Sequence, residues 1–506
     1  MILLERIADH YNDIADQTAV DSVSDGVVSY GELWEKSGKL ANYIEEKMGA
    51  DKSPIVVYGH KQPYMIIYFL ACVRSGRAYC PEDISVPDDR VRSIIERTGC
   101  GMILTAEKEH DVLSGAAAEV IDIDKAEEIE AVQPEMITED KAVSGSDTFY
   151  IIFTSGSTGT PKGVQISADD LDSFTSWSIH LGYGPEDKEG AVFMNQAPFS
   201  FDLSVMDLYT SLASGGTLKT IDRKTQDDMS ALMKTFGESH LNYWISTPSF
   251  ATMCCGMPEF CEDHMPDMRA FLFCGEALTN TTARRLREKF PKAKIVNTYG
   301  PTEATCAVTS AEITDEMINS DEPLPVGVPG PNTRINIRGL DGREMPEGER
   351  GEIIISGKNV STGYFRDEAQ TDKVFFDDGM RHYHSGDEGF IKEGQLHFTE
   401  RMDFQIKYHG YRIELGDIEN NLLKEPGIDA AAVVPRMREG AVKNLVAFIA
   451  GMGDPKDPFG EGKKIKDALR EKLPDYMIPK KIVFLDKMPV TPNGKADRKA
   501  LKGMVR

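Results

Sequence analysis

Four short motifs carry residue types suited to chemistry on a charged ligand. The densest is Thr154-Ser155-Gly156-Ser157-Thr158-Gly159-Thr160-Pro161-Lys162-Gly163, directly after the apolar run 150–153. Three glycines and five hydroxyl residues in these ten positions leave little side-chain bulk. Backbone N–H groups can then curl round an anion while Lys162 adds a point charge. No G-x-x-x-x-G-K-[ST] pattern can be laid on the segment, so it is not a Walker loop. A plain Ser/Gly turn is the alternative, and the hydroxyl density with Pro-Lys-Gly appended favours the anion-holding reading. The second motif, Asn297-Thr298-Tyr299-Gly300-Pro301-Thr302-Glu303, offers a flat ring, a hydroxyl and a carboxylate able to bind a hard cation. It also reads as an ordinary strand–turn–helix. The third is His384-Ser385-Gly386-Asp387, with Arg401-Met402-Asp403 further on. An aspartate at a strand end can accept from both hydroxyls of a ribose, although Ser-Gly-Asp is also a common turn. The fourth, Pro492-Asn493-Gly494-Lys495, places a lysine in a loop near the C-terminus, where most lysines are merely solvated.

The elements that must position these motifs follow from the apolar pattern. Segment 53–59 reads as a buried strand, 64–74 as an apolar helix and 101–105 as the next strand, which is a βαβ signature. Runs at 149–153, 243–246, 271–273 and 294–297 repeat the theme. Between 324 and 363 the texture changes to short strands punctuated by Gly, Pro and Asn, an antiparallel β signature. After residue 401 it changes again, to a small α+β segment rich in Lys, Glu and Asp. The fold class expected is α/β: a large N-terminal domain of mostly parallel sheets covered by helices (1–402, with a β subdomain at about 324–400), then a small mobile α+β C-terminal domain (403–506). At 506 residues the chain is too long for one compact core, which agrees with this division.

Composition narrows the partners. With 57 Lys and Arg against 82 Asp and Glu, the net charge is −25. A field of that sign repels phosphate backbones and anionic lipid, so nucleic acid and stable membrane insertion are not expected. An anionic ligand must be held by a local device. The 8 cysteines lack the paired spacing of a zinc site. Scattered thiols, no cleavage-site pattern and no apolar run of bilayer length point to a soluble protein of a reducing cytoplasm.

Taken together and in order, the motifs resemble those of the adenylate-forming enzymes, which include amino-acid adenylation domains and acyl- and aryl-CoA ligases. The resemblance runs the length of the chain. It includes Gly351-Glu352-Ile353-Ile354-Ile355-Ser356-Gly357 and the stretch from Asp403 through Gly410-Tyr411-Arg412 to Glu419. Within the superfamily the sequence is similar to the D-alanine–D-alanyl carrier protein ligases. The segments that carry this are Tyr58-Gly59-His60-Lys61-Gln62-Pro63, the run 195–209 around Phe201-Asp202-Leu203-Ser204, Ser246-Thr247-Pro248-Ser249-Phe250 and Phe271-Leu272-Phe273-Cys274-Gly275-Glu276. The resemblance implies a two-step reaction: D-alanine and ATP give D-alanyl-AMP and pyrophosphate, and the acyl group passes to the phosphopantetheine thiol of a D-alanyl carrier protein. In the family this serves teichoic acid D-alanylation.

The same resemblance assigns roles. Lys495 becomes the catalytic lysine, reaching carboxylate and phosphate oxygens from the small domain. Thr154, Ser155, Gly156, Ser157, Thr158, Gly159 and Lys162, with Asn297, Thr298, Tyr299, Gly300, Pro301 and Thr302, would hold adenine and phosphates. Asp387 would take the ribose, and Phe398, Thr399, Glu400 and Arg401 would line the nucleotide. Glu303 is the expected Mg²⁺ contact. Asp202 would pair with the substrate ammonium, which separates amino-acid activators from acyl-CoA ligases. Its alternative is a helix-capping carboxylate. Cys274 would sit against the substrate methyl with Cys306 beside it, where relatives are expected to carry Val; a buried structural thiol is the alternative for Cys274. Glu400 for the usual Gly and His384-Ser385 for an Arg-Thr type pair are milder departures. Asp403 stands at the family's hinge position. The rival functions are an adenylation enzyme for another small amino acid, an acyl-CoA ligase, and a catalytically inert nucleotide-binding regulator.

Overall fold

The computed structural model describes residues 1–506 apart from 109, 155–160, 403, 404, 409, 439, 440, 454, 456, 490–495 and 506, together with the side chains of 405, 412 and 441. Two large sheets dominate. In the nine-stranded sheet, Thr18–Ser22, Thr217–Thr220, Val192–Asn195, Tyr243–Ser246, Ala270–Phe273 and Lys294–Tyr299 run parallel, with antiparallel strands at both edges. In the seven-stranded sheet, Thr148–Thr154, Tyr79–Asp83, Ile55–Gly59, Met102–Thr105 and Glu119–Ile121 are parallel. The strands alternate between two cores because side chains point to opposite faces with period two. Tyr243 and Ile245 enter the core shared by the sheets, and Trp244 enters an outer one. Helices Pro63–Arg74 and Leu203–Ala213 fill the shared core and are buried over every residue. Helices Asp88–Thr98 on one side and Met229–Glu238 with Asn280–Lys289 on the other complete five layers. The α/β class and the mostly parallel sheets read from the sequence are the observed ones.

The β-rich stretch divides its strands. Thr333–Arg338, Gly351–Gly357, Arg381–Lys392, Phe375–Asp377 and Gln395–Arg401 form a five-stranded sheet, antiparallel throughout. Val328–Pro329 instead extends the nine-stranded sheet, and Gly363–Tyr364 extends the seven-stranded one. Beyond it, hairpin Gln405–Tyr408 and Tyr411–Glu414 leads to a sheet of Ala430–Arg438, Ala441–Ala450 and Lys481–Leu485 with its own apolar clusters.

Candidate functional site

The carboxyl ends of the parallel strands are where open α/β sheets bind ligands, and the second and third motifs meet there. Strand Lys294–Tyr299 runs two residues past the predicted end at 297: Asn297 pairs with Phe273 and Ala311, and Thr298 and Tyr299 pair onward with Ser310 and Thr309. A cleft of about 490 Å³ opens at this edge. Its floor includes Asn297, Thr298, Tyr299, Phe398, Thr399 and Arg401, and its far wall is built by Lys407, Val433, Pro435 and Arg498 from the C-terminal part. Tyr299 and Phe398 lie 5.9 Å apart at 32°. Asn297 donates from Nδ2 to Pro325 O (2.8 Å), while its Oδ1 is buried without a hydrogen-bond partner. Thr399 Oγ1 is unpartnered in the same way. Buried polar atoms normally find partners, so two orphans on residues that line one cleft are the candidates for ligand contacts.

Beneath the floor lies a charged triad. Asp387 is fully buried; Tyr299 Oη donates to its Oδ2 (2.6 Å) and Arg401 Nη1 to its Oδ1 (2.9 Å). Antiparallel pairing places Asp387 directly opposite Arg401. Burial first, then the adjacent Asp387 carboxylate, holds the Tyr299 phenol well above its usual range, so it stays a donor. Tyr299 and Arg401, rather than Asp387 itself, present this triad to the open cleft.

A second, smaller cavity of about 20 Å³ adjoins the cleft and is lined by Asp202, Cys274, Cys306, Gly300, Lys407 and Gly410 among others. That is room for about one water-sized group. Asp202 occupies the N-cap position of helix Leu203–Ala213, yet its side chain makes no capping bond, which leaves the helix-cap alternative without support. Cys274 Sγ donates to Cys306 O (3.5 Å), and both residues are buried. Contact with Cys274 and burial keep the Cys306 thiol well above its normal range. Cys306 reaches this place through strained backbone: Thr305 and Cys306 have φ of +56° and +68°, and Ala307 N–H bonds Thr305 O (2.8 Å). A γ-turn of this hand is rare, and a β-branched residue at positive φ is costly. Thr305 Oγ1 pins it by donating to Asn359 O (2.8 Å).

Hairpin 405–414 caps both cavities. Lys407 Nζ stands 5.3 Å from the Tyr299 ring centroid, and Gly410 N–H donates to Glu276 Oε1 (3.1 Å). Gly410 has φ +82°, and a Cβ there would collide with Thr247 and Phe201. Lys162 Nζ is 4.0 Å from Glu414 Oε1. Glu303 is buried and its Oε1 accepts from Tyr364 Oη (2.8 Å). Thr154 pairs with Lys162 across two antiparallel strands. Gly300, Pro301 and Thr302 line the small cavity, and Glu400 the cleft. Ser155, Gly156, Ser157, Thr158, Gly159, Asp403 and Lys495 lie outside the described residues. Lys407, Glu276 and Gly410 had no role from the sequence, although all three fall within segments quoted for the resemblance. Among the described residues no cluster of three His, Cys, Asp or Glu could hold a metal, and no helix is long and apolar enough to cross a membrane.

Comparison with known proteins agrees with this arrangement. The AMP-binding enzyme family matches residues 7–365, and the AMP-binding enzyme C-terminal domain matches 417–495. A D-alanine–D-alanyl carrier protein ligase of Bacillus licheniformis is 46% identical over 485 residues, 94% of each chain. One of Bacillus cereus is 44% identical over 512 residues, 99% of each. Among solved structures, an NRPS protein containing adenylation and PCP domains, bound to a vinylsulfonamide inhibitor, superposes with TM-score 0.83 at 25% identity. It covers 99% of this chain and 83% of that one.

Proposed function

We propose a reaction for this chain, which belongs to the AMP-binding enzyme family: ATP-dependent activation of D-alanine as D-alanyl-AMP, then transfer to the phosphopantetheine thiol of a D-alanyl carrier protein. The product serves teichoic acid D-alanylation, and the enzyme works in the cytoplasm. One observation carries the choice of substrate: a cavity of about 20 Å³ that joins a carboxylate, Asp202, to two thiols beside the larger cleft. An α-ammonium pairs with the carboxylate, and a methyl fills the space by the sulfurs. An apolar acyl chain in the same place would strip water from the carboxylate without offering it a donor, which disfavours such a substrate.

Attack of a carboxylate on the α-phosphate depends on alignment and charge neutralisation more than on covalent help. In this reading Asn297 Oδ1 accepts from the adenine amino group, and Tyr299 and Phe398 bracket the base. Asp387 lies behind Tyr299 and Arg401, so the ribose hydroxyls reach its remaining lone pairs only when the bound nucleotide shifts those two side chains. Lys162 and the loop 154–159 hold the phosphates, and Lys495 neutralises charge that grows in the transition state. Glu303 would face a Mg²⁺ ion carried mainly by phosphate oxygens and water, a cation that needs few protein carboxylates and would supply neutralisation of phosphate charge. We further propose that 1–402 and 403–506 are separate domains, with Asp403 as the hinge on which the smaller one turns. Pyrophosphate exchange over D-alanine, L-alanine, glycine, D-serine and L-serine tests the reading. Exchange strongest with D-alanine and lost in Lys495→Ala supports it. Another preferred amino acid overturns the substrate, and no exchange overturns the reaction.

A further inference from the structure

At the seam between the two large sheets lies a buried lysine that the reaction above leaves unused. Lys61 follows strand Ile55–Gly59 and is 1% exposed. Its Nζ donates to Asn195 Oδ1 and to Ala197 O, and stands 4.4 Å from the Phe199 ring centroid. These contacts fall on residues 195–199, the beginning of the link between strand Val192–Asn195 and helix Leu203–Ala213. Phe201 and Asp202 end that link. The backbone around the lysine is itself anchored: Thr220 Oγ1 donates to Lys61 O (3.0 Å), and Arg223 N–H donates to His60 Nε2 (3.0 Å). On its other side the His60 ring is fixed by Asp83, 2.7 Å from Nδ1.

A lone ammonium at this depth is expensive, and an apolar side chain of equal volume often stabilises a core as well. The network also contains Asp207, which is fully buried. Asn195 Nδ2 donates to its Oδ1 (2.8 Å), and its Oδ2 has no hydrogen-bond partner. Burial pushes the Asp207 carboxyl up to about 8 and the Lys61 ammonium down to about 8. What the lysine supplies in return is direction. Two donated bonds and a ring contact fix one path for a segment that no sheet partner holds beyond Asn195.

We propose that Lys61 is a positioning residue for amino-acid recognition: its ammonium fixes 195–201 so that Asp202 faces the pocket it shares with Cys274 and Cys306. The inference rests on Asp202 as partner of the substrate ammonium. The test is pyrophosphate exchange by the full chain, varying D-alanine and ATP separately, for wild type, Lys61→Met, Lys61→Met with Asp207→Asn, and Asp202→Asn, with thermal melting of each. In Lys61→Met the KM for D-alanine rises roughly ten- to hundredfold, because a small displacement of a binding group is costly, and the KM for ATP stays within about twofold. The double variant carries no unmatched buried charge; it melts near wild type and keeps the raised KM for D-alanine. A wild-type KM for D-alanine in a folded Lys61 variant overturns the proposal. Equal rises in both KM values also overturn it, since they report general loosening. An unchanged KM in Asp202→Asn removes the underlying reading instead, so the two failures are distinct.

Discussion

Removing the guanidinium of Arg401 while leaving Asp387 in place tests the charged floor of the cleft. Asp387 is 0% exposed and the Arg401 side chain 8% exposed, and the two stand 2.9 Å apart. Breaking a buried pair from one side leaves an uncompensated charge and costs about 3–5 kcal/mol. The bond from Tyr299 Oη is already present in the wild type, so it returns nothing. Arg401→Met should therefore lower the free energy of the first urea transition by about 3–5 kcal/mol. Adding Asp387→Asn removes the orphaned charge, and the double variant should return to within about 1 kcal/mol of wild type, as when buried pairs are replaced together. Exchange activity separates stability from function. The double variant regains stability but keeps a KM for ATP raised by about tenfold or more, because it alters both the cleft-facing guanidinium and the proposed ribose acceptor. The reasoning is refuted if Arg401→Met costs under about 1 kcal/mol, or if single and double variants are equally unstable.

Other outcomes follow from single features. Asn297→Leu deletes the unpartnered Oδ1 and should cut the preference for ATP over ITP, measured by exchange, by about tenfold. Cys306→Ala enlarges the small cavity and should narrow the D-alanine to D-serine ratio of kcat/KM by about ten- to hundredfold, one small group in a pocket being worth about 1–3 kcal/mol. Burial raises the Asp170 carboxyl from 3.8 to about 6. Between those values the unfolded chain has released the proton that the folded one keeps. Stability therefore falls as pH rises through the window, by up to about 3 kcal/mol. Asp170→Asn, which can still accept the bond from Ser167 N–H (2.8 Å), should flatten that slope in denaturant titrations.

Strands such as Tyr243–Ser246 were legible because apolar runs bounded by turn residues declare themselves locally. The end of Lys294–Tyr299 was not. Thr298 and Tyr299 lead straight into Gly300-Pro301 and read as part of that turn, and it is antiparallel pairing with Ser310 and Thr309 that keeps them in the strand. The stretch 324–363 read as one β texture, yet Val328–Pro329 and Gly363–Tyr364 serve different sheets. Edge pairing is a tertiary choice that local pattern does not encode. Resemblance nominated Asp202, Cys274 and Cys306, which come from three distant segments. It gave no sign of the strained turn at Thr305 and Cys306, where local preference is violated to aim a side chain. The grip of Glu276 on Gly410 spans 134 positions and had no local signal.

The parallel pairing of Thr18–Ser22 with Thr217–Thr220 sets a timetable for synthesis. Val20 lies beside Leu218, and the strands made between them from Ile55–Gly59 through Lys162–Ser167 all belong to the seven-stranded sheet. At about 5–20 residues per second a ribosome takes roughly 10–40 s to deliver the later strand. Throughout that interval helix Pro63–Arg74, apolar on every side, lacks one of the two sheets that enclose it. Newly made chains thus expose sticky surface for that time, and slowing translation before residue 217 should raise the share of chains that aggregate during synthesis.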